Sequence, residues 1–147
     1  MRKINNIVLI DDNKVDGFVN QKIISIVNNT VTTKLFNSSV EALEYFNATT
    51  KGIETHPLIL TDLIFLDINM PVMNGFEFLN KLSRIKTFLR NPFDVYFLSS
   101  SNNEEDISEA LSIEFCSGYL IKPLTKEKIR TLIDTKKQIG VELKTKN

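Results

Sequence analysis

The sequence predicts a doubly wound α/β fold: a five-stranded parallel sheet with helices on both faces. Short β-branched runs alternate strictly with longer stretches of helical periodicity, five times over. No repeat, low-complexity segment or composition break interrupts the 147 residues, so a single module is expected over residues 1–140, with 141–147 as a polar tail.

Ile7-Val8-Leu9-Ile10 reads as a buried strand, and Val15, Phe18, Val19, Ile23, Ile26 and Val27 then recur at helix spacing. Val31 to Phe36 reads as the second strand. Ser38 or Ser39 caps a helix whose apolar face holds Val40, Leu43 and Phe46, and a polar connection follows from Asn47 to about Pro57. Leu63 to Leu66 is the third strand. After Gly75 a helix shows Phe76, Leu79, Leu82 and Ile85 on one side, and Asn91-Pro92 closes it. Val95 to Leu98 makes the fourth strand, followed by a helix from about Asn103 to Phe115 whose start carries Glu104-Glu105-Asp106, charges suited to a helix N-terminus. Tyr119 to Ile121 is the fifth strand. Thr125 to about Ile139 forms the last helix, with Ile129, Leu132 and Ile133 inward.

Eighteen basic residues balance eighteen acidic ones. No global field exists to hold a polyanion or an anionic membrane, so neither nucleic acid nor membrane is expected as a partner. Cys116 is alone, which rules out an intrachain disulfide and a cysteine metal cluster and suits a reducing compartment. The apolar run at the N-terminus stops at Asp11-Asp12, too short for a signal-peptide core or a membrane span, and a cytoplasmic location is expected. His56, just before Pro57 in the polar connection, reads as a surface loop residue, neither phosphodonor nor ligand.

In an open parallel sheet, ligand sites form beyond the carboxyl ends of the strands. There the strands end in Asp11-Asp12, Asp67, Ser99 and Lys122-Pro123. Carboxylates crowded at one edge repel by about 3 kcal/mol per pair at ~5 Å and an effective dielectric near 20. A divalent cation relieves this, and oxygen-only ligands suit Mg²⁺, with Mn²⁺ as a substitute, better than Zn²⁺. With the metal screening its charge, one aspartate can act as a nucleophile toward phosphorus. Lys122 and the Ser99 hydroxyl would then hold phosphoryl oxygens.

An acidic pair after strand one, Asp-x-x-Met-Pro-x-x-x-Gly from Asp67 to Gly75, a serine after strand four and Lys-Pro after strand five resemble the receiver domain of two-component response regulators. The likeness runs from Asn6 to about Ile139. It implies the flavodoxin-like strand order 2-1-3-4-5 and carries roles over by position. Asp67 matches the phosphoacceptor, and Asp11 and Asp12 the metal-binding acids. Asn69 matches the residue whose backbone carbonyl completes the metal shell. Ser99 is similar to the switch hydroxyl, Lys122 to the family's lysine, and Tyr119 to the aromatic that changes rotamer with the switch. Pro123 matches a proline preceded by a cis bond. Asn69 and Ser101, each two residues beyond a site residue, match the positions that tune the lifetime of the aspartyl phosphate.

The chain departs from the family pattern in the length of the Asn47 to Pro57 connection, and in carrying serine at position 99. Ser100 and Ser101 follow, so a shift of one position still places a hydroxyl there.

Taken singly, these residues have plainer readings. Asp11-Asp12 is a helix cap, Asp67 a turn residue, Lys122 a solvated strand-end lysine. Joint placement at the strand ends overturns all three, while Tyr119 stays divided between switch and packing. The expected function is a stand-alone receiver, not an enzyme in the ordinary sense. It takes a phosphoryl group from a histidine kinase or phosphotransfer protein and signals, as a monomer or transient homodimer, through an unknown downstream protein. The expected output face is the fourth helix, fifth strand and fifth helix around Tyr119. Two rivals are an aspartate-nucleophile phosphatase of the haloacid dehalogenase type and a module that only docks. The first requires a second acid where Asn69 stands.

Overall fold

The computed structural model describes residues 4–50, 61–90, 92–133 and 143–145. Its strands are β1 (Asn6–Ile10), β2 (Thr32–Phe36), β3 (Leu63–Asp67), β4 (Asp94–Ser99), β5 (Gly118–Ile121) and β6 (Leu143–Thr145). The helices are α1 (Lys14–Val27), α2 (Ser39–Thr50), α3 (Gly75–Leu82), α4 (Lys86–Arg90), α5 (Glu104–Ser112) and α6 (Lys126–Ile133). The sheet order is β2-β1-β3-β4-β5-β6, and the first five strands pair in parallel. The expected 2-1-3-4-5 arrangement is therefore present.

Alternation along the strands splits the core into two layers, as a period-two element buried on both sides requires. Val8, Ile10, Ile64 and Leu66 face one way, against Phe46 of α2, Phe78 and Leu82 of α3 and Ile107 of α5. Ile7, Leu9, Leu63 and Phe65 face the other, against Ile24 of α1 and Ile129 and Leu132 of α6. Every residue of β3 is buried, so its terminal Asp67 has apolar neighbours in sequence and a position at the sheet's centre.

The structure corrects several readings. In α1 the apolar stripe is split: Ile23 and Val27 pack half-buried against the core beside buried Ile24, whereas Val15, Phe18, Val19 and Ile26 are exposed and Gly17 and Asn20 are buried. A Cβ at Gly17 would lie 2.6 Å from a Leu35 methyl, so the bare glycine brings α1 close onto β2. Asn47 belongs to α2, which continues to Thr50, and the remainder of the connection with His56 lies outside the described residues. Ser38 is the cap of α2, accepting from the backbone N–H groups of Val40 and Glu41, whereas buried Ser39 donates to the Met73 carbonyl at 2.6 Å.

The helix expected through Ile85 is two. Ser83, Arg84 and Ile85 close the end of α3 with tight backbone bonds to Leu79, Lys81 and Leu82, and α4 follows. The helix expected to reach Phe115 stops at Ser112, and Phe115 takes a φ of 71°. Beyond Ile133 the last helix lies outside the described residues. Within the segment read as a polar tail, Leu143–Thr145 pair antiparallel with β5, Tyr119 opposite Lys144. Val-Glu-Leu-Lys-Thr-Lys alternates with period two, and the open edge of β5 offers unpaired backbone groups that such a segment satisfies.

The turn after β3 is closed by Gly75, whose N–H donates to the Ile68 carbonyl at 2.7 Å. Asn74 then caps α3 in a reciprocal box with Glu77. A Cβ on Gly75 would collide with the Asp67 carbonyl and lie 2.9 Å from the Ile68 Cα, backbone atoms that cannot swing aside. Gly75→Ala is therefore expected to lower stability by about 3 kcal/mol. Urea unfolding checks this; a loss within the ~0.5 kcal/mol of an ordinary surface change would show that the turn yields.

Candidate functional site

The parallel register brings the ends of β1, β3, β4 and β5 to one edge of the sheet, and the polar residues meet there. Oxygen atoms of Asp11, Asp12 and Asp67 all lie within 4.8 Å of one another. Asp11 and Asp67 are buried and Asp12 is exposed. The Lys122 ammonium stands among the acids, 3.3 Å from Asp11 Oδ2 and 3.7 Å from Asp67 Oδ1. It also lies 3.6 Å from Asp16 Oδ2, on the first turn of α1. Asp16 went unnoticed in the sequence; its signal is its place one helical turn after Asp12.

Asp11 is oriented by accepting from the Asn13 N–H at 2.9 Å, and Asn13 in turn caps α1 through the Asp16 N–H. The acid pair thus does not cap the helix; Asn13 does. Burial pushes the Asp67 carboxyl up to about 6 from its ordinary 3.8, with Asp11 and Asp12 adding to the rise. Lys122 and the backbone N–H of Asn69 pull the other way. For Lys122, burial favours the neutral amine, yet Asp67 and Asp11 more than offset it and hold the ammonium above its usual range. Four carboxylates against one ammonium leave the edge negative. A hard divalent cation fits this all-oxygen donor set.

Ser99 ends β4 beside Ile121 and is buried, whereas Ser100 is exposed. Its Oγ accepts from the Ser101 N–H at 3.2 Å. Ser101 is the hub of its loop. Its hydroxyl donates to Asp106 at 2.6 Å and accepts from the Asn103 N–H, and its carbonyl accepts from the Tyr119 hydroxyl at 2.9 Å. The Tyr119 ring is fully buried. Asn69 is exposed two residues beyond the end of β3, and the Lys122–Pro123 peptide is cis.

The family model of the response regulator receiver domain matches residues 7–134. The chain belongs to this family. Receiver domains are phosphoacceptor signalling modules of two-component systems, typically with Mg²⁺ at an acidic pocket and with histidine kinases or phosphotransfer proteins as partners.

Among curated relatives, the nitrate/nitrite response regulator protein NarL of Escherichia coli is 42% identical over 77 residues, 52% of this chain and 33% of its own length. The chain thus spans about a third of that relative. The two-component response regulator ARR5 of Arabidopsis thaliana is 28% identical over 138 residues, covering 90% of this chain and 71% of its own. A solved two-component response regulator from Cytophaga hutchinsonii superposes with a TM-score of 0.76 at 28% identity, covering 91% of this chain and 97% of its own. The chemotaxis protein CheY4 of Vibrio cholerae shares the fold, with a TM-score of 0.68 at 22% identity over 90% of this chain and 95% of its own.

The raised Asp67 carboxyl makes stability depend on pH. Between 3.8 and about 6 the folded receiver binds more protons than the unfolded chain, so stability falls as pH rises through this window and is level above it. Asp67→Asn removes the effect. With a chelator present, the native chain is expected to lose about 2–3 kcal/mol relative to Asp67→Asn between pH 4 and 7. Urea unfolding of both at each pH checks this, and parallel curves would contradict it.

Proposed function

We propose that Asp67 is the phosphoacceptor of a receiver that signals by protein binding. The observation that carries it is the single buried carboxylate at the end of the central β3, with two further acids and one lysine converging on it. Asp67 Oδ attacks the phosphorus of a phosphohistidine on a kinase or phosphotransfer protein; the P–N bond breaks, and the imidazole leaves with the bond's electrons and takes up a proton. Lys122 moves its charge from Asp67 to a phosphoryl oxygen, and the Ser99 hydroxyl donates to another. Asp11, Asp12, Asp67 and the backbone carbonyl of Asn69 would hold Mg²⁺, for which Mn²⁺ would substitute. When bound, the ion neutralises charge between the acids and the incoming phosphoryl group. Asn69 and Ser101 set the lifetime of the aspartyl phosphate: neither is a base, so water is held rather than deprotonated.

The partner's footprint is written in exposed apolar side chains on both flanks of the site. Val15, Phe18 and Val19 extend from the turn of α1 that carries Asp16, and Val72, 92% exposed with a φ of 71°, stands in the loop after Asp67. A β-branched residue at a positive φ is strained, a cost of the kind that clusters at functional sites.

Output follows from the hydrogen bonds around Ser101. Turning the Ser99 hydroxyl toward a phosphoryl oxygen costs its bond from the Ser101 N–H, and Ser101 is the residue to which Tyr119 is tied. The shift passes to β5 and α5, where a downstream protein reads it. The phosphatase alternative lacks its second acid, since Asn69 stands in that place.

Incubation with acetyl phosphate and Mg²⁺ is expected to add one phosphoryl group by intact mass; full labelling of Asp67→Asn at the native rate would sink the assignment. Phe18→Ala is expected to leave acetyl phosphate labelling intact and to slow transfer from a phosphohistidine donor about tenfold, the scale of one lost interface anchor. Equal slowing with both donors would place Phe18 in the chemistry instead of the docking.

A further inference from the structure

Lys128, on α6, is half-buried. Its ammonium donates to the Ile121 carbonyl at 2.6 Å and to the Pro123 carbonyl at 2.8 Å. These two carbonyls flank Lys122. A cation near the N-terminus of a helix opposes the helix dipole, so this placement carries a cost that the two charge-assisted bonds offset. Its root is fixed as well: the Lys128 N–H donates to Thr125 Oγ1 at 3.2 Å.

The geometry points to Lys128 as a positioning residue for Lys122, clamping both sides of the turn from which Lys122 reaches the acceptor. The need for a clamp follows from where the strand stops. β5 ends at Ile121, and Lys122 keeps one sheet-type bond, from its N–H to the Ser99 carbonyl at 2.8 Å. Beyond it nothing in the parallel ladder fixes the chain. Yet the Lys122 ammonium is drawn toward three carboxylates in different directions, and a drift of its backbone would let Asp16, on the solvent side, capture it away from Asp67. Tethering residues 121 and 123 to one rigid helix removes that freedom. Misplacing a reacting group by about 1 Å costs up to ~10² in rate, so the clamp acts on phosphotransfer and not only on folding.

This inference rests on the reading of Lys122 as the ligand of a phosphoryl oxygen, and the test separates the two. Native chain, Lys128→Met, Lys128→Gln, Lys128→Arg, Lys122→Met and the Lys122→Met/Lys128→Met pair are labelled with acetyl phosphate and Mg²⁺ and followed by intact mass. Lys128→Met and the milder Lys128→Gln are expected to label about tenfold more slowly, with Mg²⁺ affinity by calorimetry unchanged. Lys128→Arg, which keeps a cation and several donors, recovers most of the rate. In the Lys122→Met background, removing Lys128 adds nothing, because the residue it positions is gone. Native rates in both Lys128→Met and Lys128→Gln, or the same slowing with and without Lys122, overturn the positioning role. A native chain that takes no phosphoryl group overturns the reading of the site and this inference together, whereas a labelled native chain with unaffected Lys128 variants overturns this inference alone.

Discussion

The contest between crowded carboxylates and one lysine governs this molecule. Asp11, Asp12 and Asp67 are forced together because β1 and β3 are neighbours whose chains run out at the same edge, and each extra like charge at ~5 Å costs about 3 kcal/mol at an effective dielectric near 20. Lys122 reaches in from the end of β5 and holds the balance, close to Asp11 and Asp67 and within reach of Asp16. One ammonium cannot neutralise four acids. The edge keeps an unspent negative charge that favours a divalent cation, while burial first, and Asp11 and Asp12 after it, raise the Asp67 carboxyl. A stability optimum would remove one of the acids; the fold keeps them, the usual signature of a site that trades stability for function.

The same edge is tied to the surface by a short run of hydrogen bonds. Ser99 to Ser101, Ser101 to Asp106, and Tyr119 to Ser101 link the buried hydroxyl at the end of β4 with the first turn of α5 and the middle of β5. β6 lies against that strand, pairing Lys144 with Tyr119, so the element that carries the aromatic is paired on both sides. The hydrogen bonds that begin at Ser99 thus end on a strand whose backbone is held by neighbours on both sides.

Val15, Phe18, Val19 and Val72 are apolar side chains exposed at the surface, while Tyr119 is carried by β5, separated by β4 from the strand that ends in Asp67. Solvent tolerates Phe18 at the surface partly because Lys22 sits 5.3 Å over its ring, a cation–π contact that covers one apolar face. Gly17, Asn20 and Ile24 are the buried residues of α1, which leaves Val15, Phe18 and Val19 at the surface.

The sequence by itself determined the strand and helix order and the strand-end residues. Strands buried on both faces must be apolar runs, and the polar residue that ends each run is visible as a break: Asp11, Asp67, Ser99 and Lys122 were all legible for that reason. The tertiary structure alone decided the rest. Hydropathy does not separate Ile23 and Val27, which pack on the core, from Val15, Phe18, Val19 and Ile26, which the structure leaves exposed, and periodicity does not weigh the close approach of Gly17 to Leu35. Asp16 and Lys128 are ordinary helix charges in the sequence; only the crossing of α1 and α6 over the strand ends brings one to the Lys122 ammonium and the other to the carbonyls beside it. The β6 pairing needed a free strand edge, a property of the assembled sheet and not of the segment that fills it. Short-range pattern reports what each residue prefers, whereas the meeting of residues distant in the chain is settled by the register and packing that their neighbours impose.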